Sequence, residues 1–170
     1  MKLVRPSIEW GHEHQKYVEE WDQPSMVPSS FSLDGHDSYK EFLEALADRE
    51  KGNERWLPSS NYFLINEADR VVAMVDIRHE LNEHLFNIGG HIGYSVRPSE
   101  RRKGYATLIL AEALKKCKEL NITRVLVTCD ADNVGSAKTI LNNGGVEDSH
   151  FIEEDGDMKR RFWIENRRIN

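Results

Sequence analysis

The sequence has few cysteines and no long apolar run. Its 170 residues include only Cys117 and Cys129, too few for the disulfide framework of a small secreted domain. Both are therefore expected to be buried as small hydrophobic side chains in a reducing compartment, and we predict a cytoplasmic protein. No apolar stretch approaches the roughly 20 residues that cross a bilayer, and residues 1–10 lack the apolar segment of a secretory signal. A membrane partner is accordingly not expected.

Positive charge is also in deficit. Lysine and arginine number 23 against 29 aspartates and glutamates, so the formal net charge is −6. This balance does not suggest a dedicated nucleic-acid binder, and no nucleic-acid partner is expected. It would tend to attract cationic substrates, and it still allows a local basic site for an anionic cofactor. The length fits one domain, which we place at residues 1–170.

The N-terminal part predicts two helices separated by a loop. Apolar residues at helical spacing and a serine N-cap indicate the helices, while proline and serine indicate the loop. The predicted elements are a strand within residues 3–10, a helix over 11–22, a loop over 23–37 and a helix from the N-cap Ser38 to Lys51, which Gly52 ends.

The rest of the chain predicts strands alternating with helices. The predicted strands lie at 61–66, 71–77, 90–98 and 125–129, a helix follows Gly104, another spans 134–143, and residues 146–152 and 158–165 form a closing hairpin. Apolar residues from Ala106 to Leu120 share one face of the first of these helices. Gly93, inside a strand, indicates a bulge or a close backbone approach. The strand–loop–helix–strand unit has the length of a crossover connection.

A basic cluster stands where this crossover helix begins, at Arg101-Arg102-Lys103-Gly104-Tyr105-Ala106. The backbone N–H groups of a first helical turn have no partners within the helix. Gly104 lets a ligand approach the backbone, and the helix dipole adds to the charge of the three cations. Such a loop suits a diphosphate. Taken alone, the same cluster is more often just a solvated loop.

The neighbouring residues make the pattern specific. Arg101, Gly104 and Ala106 match the Arg/Gln-x-x-Gly-x-Gly/Ala signature of the GNAT superfamily of N-acetyltransferases, which the sequence resembles. The segment Val96-Arg97-Pro98 matches the end of a family strand, and Asn133 with Ser136 matches a segment beside the pantetheine arm. The matched motifs cover residues 90–146, the pattern extends back to 61, and before 55 only the order of elements agrees.

The resemblance implies an α/β (α+β) fold with a mixed, mostly antiparallel central sheet, helices on both faces and a splay between the fourth and fifth strands. It implies one acetyltransferase domain, with a cofactor core at about 61–146 and acceptor-side helices at about 11–52. Acetyl-CoA would lie in the splay, without a metal, and its acetyl group would pass by direct attack to a primary amine of a small molecule or a protein N-terminus. The residues implied to bind the cofactor are Tyr94, Ser95, Val96, Arg101, Arg102, Lys103, Gly104, Tyr105, Ala106, Thr107, Asn133 and Ser136.

The residues that would move protons are less well marked. In many relatives a tyrosine of the last helix protonates the departing thiolate, but that position is Ile140 here, so the general acid is unassigned. Candidate bases are His91 and Glu80, each with an alternative: a structural histidine for the first and a solvated strand end for the second. Four aromatic residues are candidates for the acceptor pocket or for core packing: Trp10, Trp21, Phe31 and Trp56.

Several alternatives stay open. The same fold could be a non-catalytic acyl-CoA-binding module, or could use a longer acyl donor. His79 and His84 are five residues apart, one too many for a zinc-protease helix, and the acidic run Glu153–Asp157 is explained by a hairpin turn. A homodimer is the commonest assembly for soluble proteins, and nothing in the sequence selects or excludes it.

Overall fold

The computed structural model describes residues 1–167, which form two antiparallel sheets with helices packed on them. The first sheet has the order β1-β2-β3-β4, with β1 at Lys2–Val4, β2 at Ser59–Ile65, β3 at Val71–Arg78 and β4 at Ile92–Val96. The second has the order β5-β7-β6, with β5 at Arg124–Asp130, β6 at Val146–Ile152 and β7 at Met158–Glu165. The predicted hairpin of the last two strands is confirmed at both pairs of bounds.

The helices divide between the two faces of the first sheet. The α-helices are α1 (Gly11–Glu20), α2 (Tyr39–Lys51), α3 (Tyr105–Glu119) and α4 (Val134–Asn142). Ser38 caps α2 as predicted, since its Oγ accepts a hydrogen bond from Glu41 N–H at 3.1 Å. Within residues 1–167, every helix is too short or too polar to cross a membrane.

Side-chain alternation along the strands creates two hydrophobic clusters. On one face, Phe63 and Met74 pack with Tyr17 of α1 and Phe42 of α2. On the other face, residues such as Val75 pack with α3, with α4 and with the inner face of the second sheet. Because a strand turns successive side chains to opposite faces, the continuous apolar run of β3 serves both clusters.

The structure differs from the predicted elements in three places. The first strand ends at Val4 rather than near residue 10, because Pro6 has no N–H to donate to a sheet, and a 3₁₀ turn follows at Ile8–Trp10. Residues 85–89, which lie between the strands predicted at 71–77 and 90–98, form a π-helical turn. Of the apolar face predicted for α3, Leu120 is exposed at the helix end.

Gly93 makes a close approach rather than a bulge. The pairing of β3 with β4 is continuous from Ile77–Ile92 to Ala73–Val96, so no residue is inserted. A Cβ at Gly93 would lie 3.1 Å from a guanidinium nitrogen of Arg78. The missing side chain therefore makes room for an arginine.

His91, the residue just before β4, joins the two sheets, which then separate. The N–H of His91 donates to Leu126 O at 2.8 Å, and its Nδ1 accepts from Leu126 N–H at 2.9 Å. Gly90 precedes this junction at φ +66°, and a Cβ there would lie 2.6 Å from Leu126 O, so the junction requires glycine. Beyond it, β4 pairs only with β3, and a wedge opens between β4 and β5. This is the predicted splay between the fourth and fifth strands.

Candidate functional site

A cavity of about 950 Å³ occupies the wedge. Strand β4, the loop before α3 and the first turns of α4 form its walls, and the loop from Trp21 to Val27 closes one side. All the predicted cofactor residues line this cavity except Lys103, whose Nζ instead donates to Glu100 at 2.8 Å. We refer to this cavity in the wedge below as the outer cavity.

The loop before α3 presents backbone donors to the outer cavity. Gly104 adopts φ +86° as the N-cap of α3, and a Cβ built on it would meet nothing within 4 Å. Helical hydrogen bonding begins with Leu108 N–H to Gly104 O, so the N–H groups of Tyr105, Ala106 and Thr107 have no acceptor within residues 1–167. Free amides at a helix N-terminus, beside an open glycine, suit the diphosphate of coenzyme A.

The three cations of this loop face different partners. The Arg101 guanidinium forms two hydrogen bonds with the Asp22 carboxylate, at 2.8 and 3.0 Å, and lies over the Trp21 ring. These bonds from Arg101 lower the pKa of Asp22. Arg102 lines the outer cavity and forms no ion pair with any of the described residues. The loop is thus tied to the end of α1 while one cation stays available to an anion.

A second, smaller cavity of about 240 Å³ continues from the outer one toward the sheet junction. Gly93, Thr128 and Cys129 line it, together with the cations Arg78 and Lys159. Arg78 is held by Asp76, with Nε and Oδ2 3.0 Å apart, and Lys159 pairs with Asp130. We call this the inner cavity.

A family model matches the part of the chain that forms this site. The model of the acetyltransferase (GNAT) family matches residues 16–140, which include the outer-cavity loop and both wedge strands. The chain belongs to this family. No curated protein sequence matches it.

Solved structures with the same fold share little of the sequence. A chimera of the spermidine N-acetyltransferase SpeG from Vibrio cholerae and hSSAT has a TM-score of 0.68 at 14% identity, covering 98% of this chain and 97% of its own. Mutant forms of the spermidine/spermine N-acetyltransferase SpeG from the same organism have a TM-score of 0.63 at 16% identity, covering 97% and 95%. A protein provisionally described as a phosphinothricin N-acetyltransferase has 0.63 at 16%, covering 98% and 99%. At such identities the similarity establishes the fold alone.

Neither candidate base reaches the cavities of this GNAT domain. His91 is 5% exposed and its Nδ1 lone pair holds the Leu126 N–H, while burial and the charge of Arg78 lower its pKa to about 4. Glu80 is exposed just past the end of β3 and lines neither cavity. The geometry therefore favours the alternatives for both, a structural histidine and a solvated strand end.

The four candidate aromatic residues differ in whether they reach a cavity. Trp21 lines the outer cavity, Phe31 is fully buried in the core, Trp10 is packed against that core, and Trp56 is exposed. Ile140, at the position of the family tyrosine, is 0% exposed in the cluster between α3 and the sheets. It supplies packing and no polar group to the cavity wall.

The sequence reasoning missed the polar contacts that hold α1 against β4. Arg97 is 2% exposed, with Nη1 3.0 Å from Glu13 Oε1 and Nε hydrogen-bonded to Glu20. Burial opposes ionisation of Glu20, but hydrogen bonds from Ser99 and Arg97 prevail and lower its pKa. The sole signal in the sequence was an arginine at the end of an apolar strand.

Proposed function

We propose that the protein is an N-acetyltransferase that moves the acetyl group of acetyl-CoA to a primary amine of a small molecule. The observation that carries this proposal is the outer cavity, whose wall combines the family's Arg101–Ala106 loop with free amides and an open glycine. Family membership supports acyl transfer as the reaction, and the wedge between β4 and β5 supports a thioester bound between two strand edges.

Each wall has a role in this proposal. The amides of residues 105–107, with Arg102, would hold the pyrophosphate. The free edge of β4 at Tyr94–Val96 would lie along the pantetheine arm, opposite Asn133 and Ser136 of α4. When bound, acetyl-CoA supplies an activated acyl group, and the backbone near Val96 would polarise its carbonyl.

Direct attack by the amine is favoured over an acyl-cysteine intermediate. Cys117 is fully buried in the core, and burial raises the pKa of its thiol to about 12. Cys129 reaches the inner cavity, but burial raises the pKa of its thiol as well. Since the thiolate is the nucleophilic form, neither cysteine is prepared to accept the acetyl group.

We propose that the acceptor enters through the inner cavity, beside the Trp21–Val27 loop. A space of about 240 Å³ fits a small amine better than a folded protein surface. The similar structures carry the names of different acceptors, so none of those acceptors is transferred to this chain. A peptide N-terminus remains the second acceptor class to test.

The test is thiol release from acetyl-CoA with a panel of amines: polyamines, amino acids and a short peptide. We expect CoA release above the rate without amine for at least one small amine, with the acetylated product identified by mass spectrometry. Binding of CoA by calorimetry with no turnover on any amine would instead favour the non-catalytic module, for which the buried Ile140 is the motivating observation. Competition by longer acyl-CoAs tests the donor.

A further inference from the structure

The outer and inner cavities share one short stretch of wall. Val27, Tyr94, Asp130, Asn133 and Ser136 line both. If the donor occupies the outer cavity and the amine enters through the inner one, the bond that breaks must lie at this shared wall. The residues of the wall are therefore the ones placed to handle the departing sulfur.

Tyr94 is the member of this wall that spans the wedge. Its side chain leaves β4 and reaches α4, where its Oη lies 2.8 Å from Ser136 Oγ. The ring packs against the hydrophobic cluster that includes Ile140, so the phenol is held in place from behind. The hydroxyl thus stands at the cavity wall beside the helix in which Ile140 provides no acid.

We propose that Tyr94 is the general acid of the reaction, donating its hydroxyl proton to the sulfur as the carbon–sulfur bond breaks. This proposal rests on the proposed function, because it assigns a role within that acyl transfer. Burial raises the pKa of the Tyr94 phenol, so the group keeps its proton at neutral pH and can donate it to the sulfur as negative charge develops there.

The remaining shared residues are less suited to this step. Val27 has no proton to give, and the Asn133 side-chain oxygen caps α4 by accepting from Ser136 N–H at 3.1 Å. The Asp130 carboxylate accepts from Lys159 Nζ. Ser136 can donate to Tyr94 Oη, which leaves the phenolic hydrogen free for the cavity and stabilises the phenolate after transfer.

The step balances without another reagent. The amine nitrogen forms a bond to the acyl carbon, the carbon–sulfur bond breaks, and the sulfur takes the proton of Tyr94. The nitrogen, now positively charged, loses one proton to solvent, and the Tyr94 phenolate recovers one from solvent. The products are the amide and CoA thiol.

The test uses Tyr94→Phe, which keeps the ring and removes only the hydroxyl. We expect kcat to fall about 100-fold or more, the low end of the range for acid–base catalysis. The dissociation constant of CoA, measured by calorimetry, should change less than about fivefold, as expected for one neutral hydrogen bond. Tyr62→Phe is the matched control, because Tyr62 is largely buried and lines neither cavity; its kcat should equal that of the wild type.

A fluorinated tyrosine at position 94 distinguishes acid catalysis from a purely structural role of Tyr94. It keeps the hydroxyl and its contact with Ser136 but makes the phenol more acidic, so kcat at pH 7 should change while CoA affinity does not. A kcat for Tyr94→Phe within about threefold of the wild type, with CoA binding intact, would overturn the assignment. A fluorinated variant whose kcat at pH 7 equals that of the wild type would also overturn the assignment. This second test applies even if Tyr94→Phe fails to fold. A wild type that binds CoA but acetylates no amine overturns the proposed function, and this assignment with it.

Discussion

The two sides of the outer cavity are built in different ways. The cofactor side, from β4 to α4, presents backbone groups whose positions depend on local conformation, such as the N-cap glycine at 104. The α1 side is placed by side-chain contacts between distant residues: Tyr17 Oη is 2.7 Å from Ser95 Oγ, and Asp22 pairs with Arg101. A short sequence motif can encode the first kind of wall and not the second. That difference explains why the sequence predicted the cofactor-side wall and not the contacts of the α1 side.

The largest effect should come from breaking the contact that joins the two sides. Arg97→Met leaves Glu13 and Glu20 without their buried partner, and removing one member of a buried ion pair costs about 3–5 kcal/mol. Urea unfolding should show this loss. Arg124→Met removes an exposed pair with Glu165 and should cost less than about 1 kcal/mol. Equal losses for the two variants would show that α1 is held by packing alone.

The next effect should be confined to the cofactor side. Gly104→Val places a β-branched residue at φ +86° in the wall of the outer cavity, so CoA affinity should fall at least about 100-fold, through backbone strain plus blocked approach. Gly35→Val is matched, since Gly35 has φ +82° and equally open surroundings but lines none of the cavities described. It should show the same strain in unfolding experiments and normal CoA binding by calorimetry. Retained affinity in Gly104→Val would contradict the site.

The smallest effect concerns the α1 side and pH. His14 is buried between α1 and α2, with Nε2 2.8 Å from Phe31 O, and burial lowers its pKa to about 4. In the unfolded chain the His14 ring, with a pKa near 6.5, takes up a proton that the folded ring cannot. The free energy of unfolding therefore falls as the pH drops from about 6.5 toward about 4. From pH 7 to pH 5 this one group should cost about 2 kcal/mol.

Urea unfolding at both pH values measures that loss in the wild type and in His14→Gln. The fall in unfolding free energy from pH 7 to pH 5 should be smaller in His14→Gln by about the contribution of the His14 ring. The fall that remains in the variant should include the contribution of His91, because burial also lowers the pKa of His91 to about 4. Between pH 7 and pH 8.5 neither histidine should contribute. An unchanged loss in His14→Gln would show that His14 is not the titrating group.

Much of the fold followed from local signals. The Ser38 cap, the bounds of β6 and β7 and the loop before α3 all depend on residues within a few positions of each other. The roles of His91 and Arg97 depend on partners 35 and 84 residues away, Leu126 and Glu13. Tyr94 was placed in the cofactor site, but its reach to Ser136 required the tertiary structure. Periodicity and motifs carry no such information.

The junction at His91 has a consequence for the protein in its cell. Past that point two strand edges face each other without pairing, so a substrate that bonds to both becomes the connection between the sheets. Whatever binds only the folded chain stabilises it by mass action, about 2.7 kcal/mol at a hundred times the dissociation constant. Under the proposed function, the lifetime of this protein would then follow the supply of its acyl donor. Scarcity would leave the two sheets joined by the His91 junction, by the contacts of Phe86 and Ile88 with Arg161 and Thr128, and by the core.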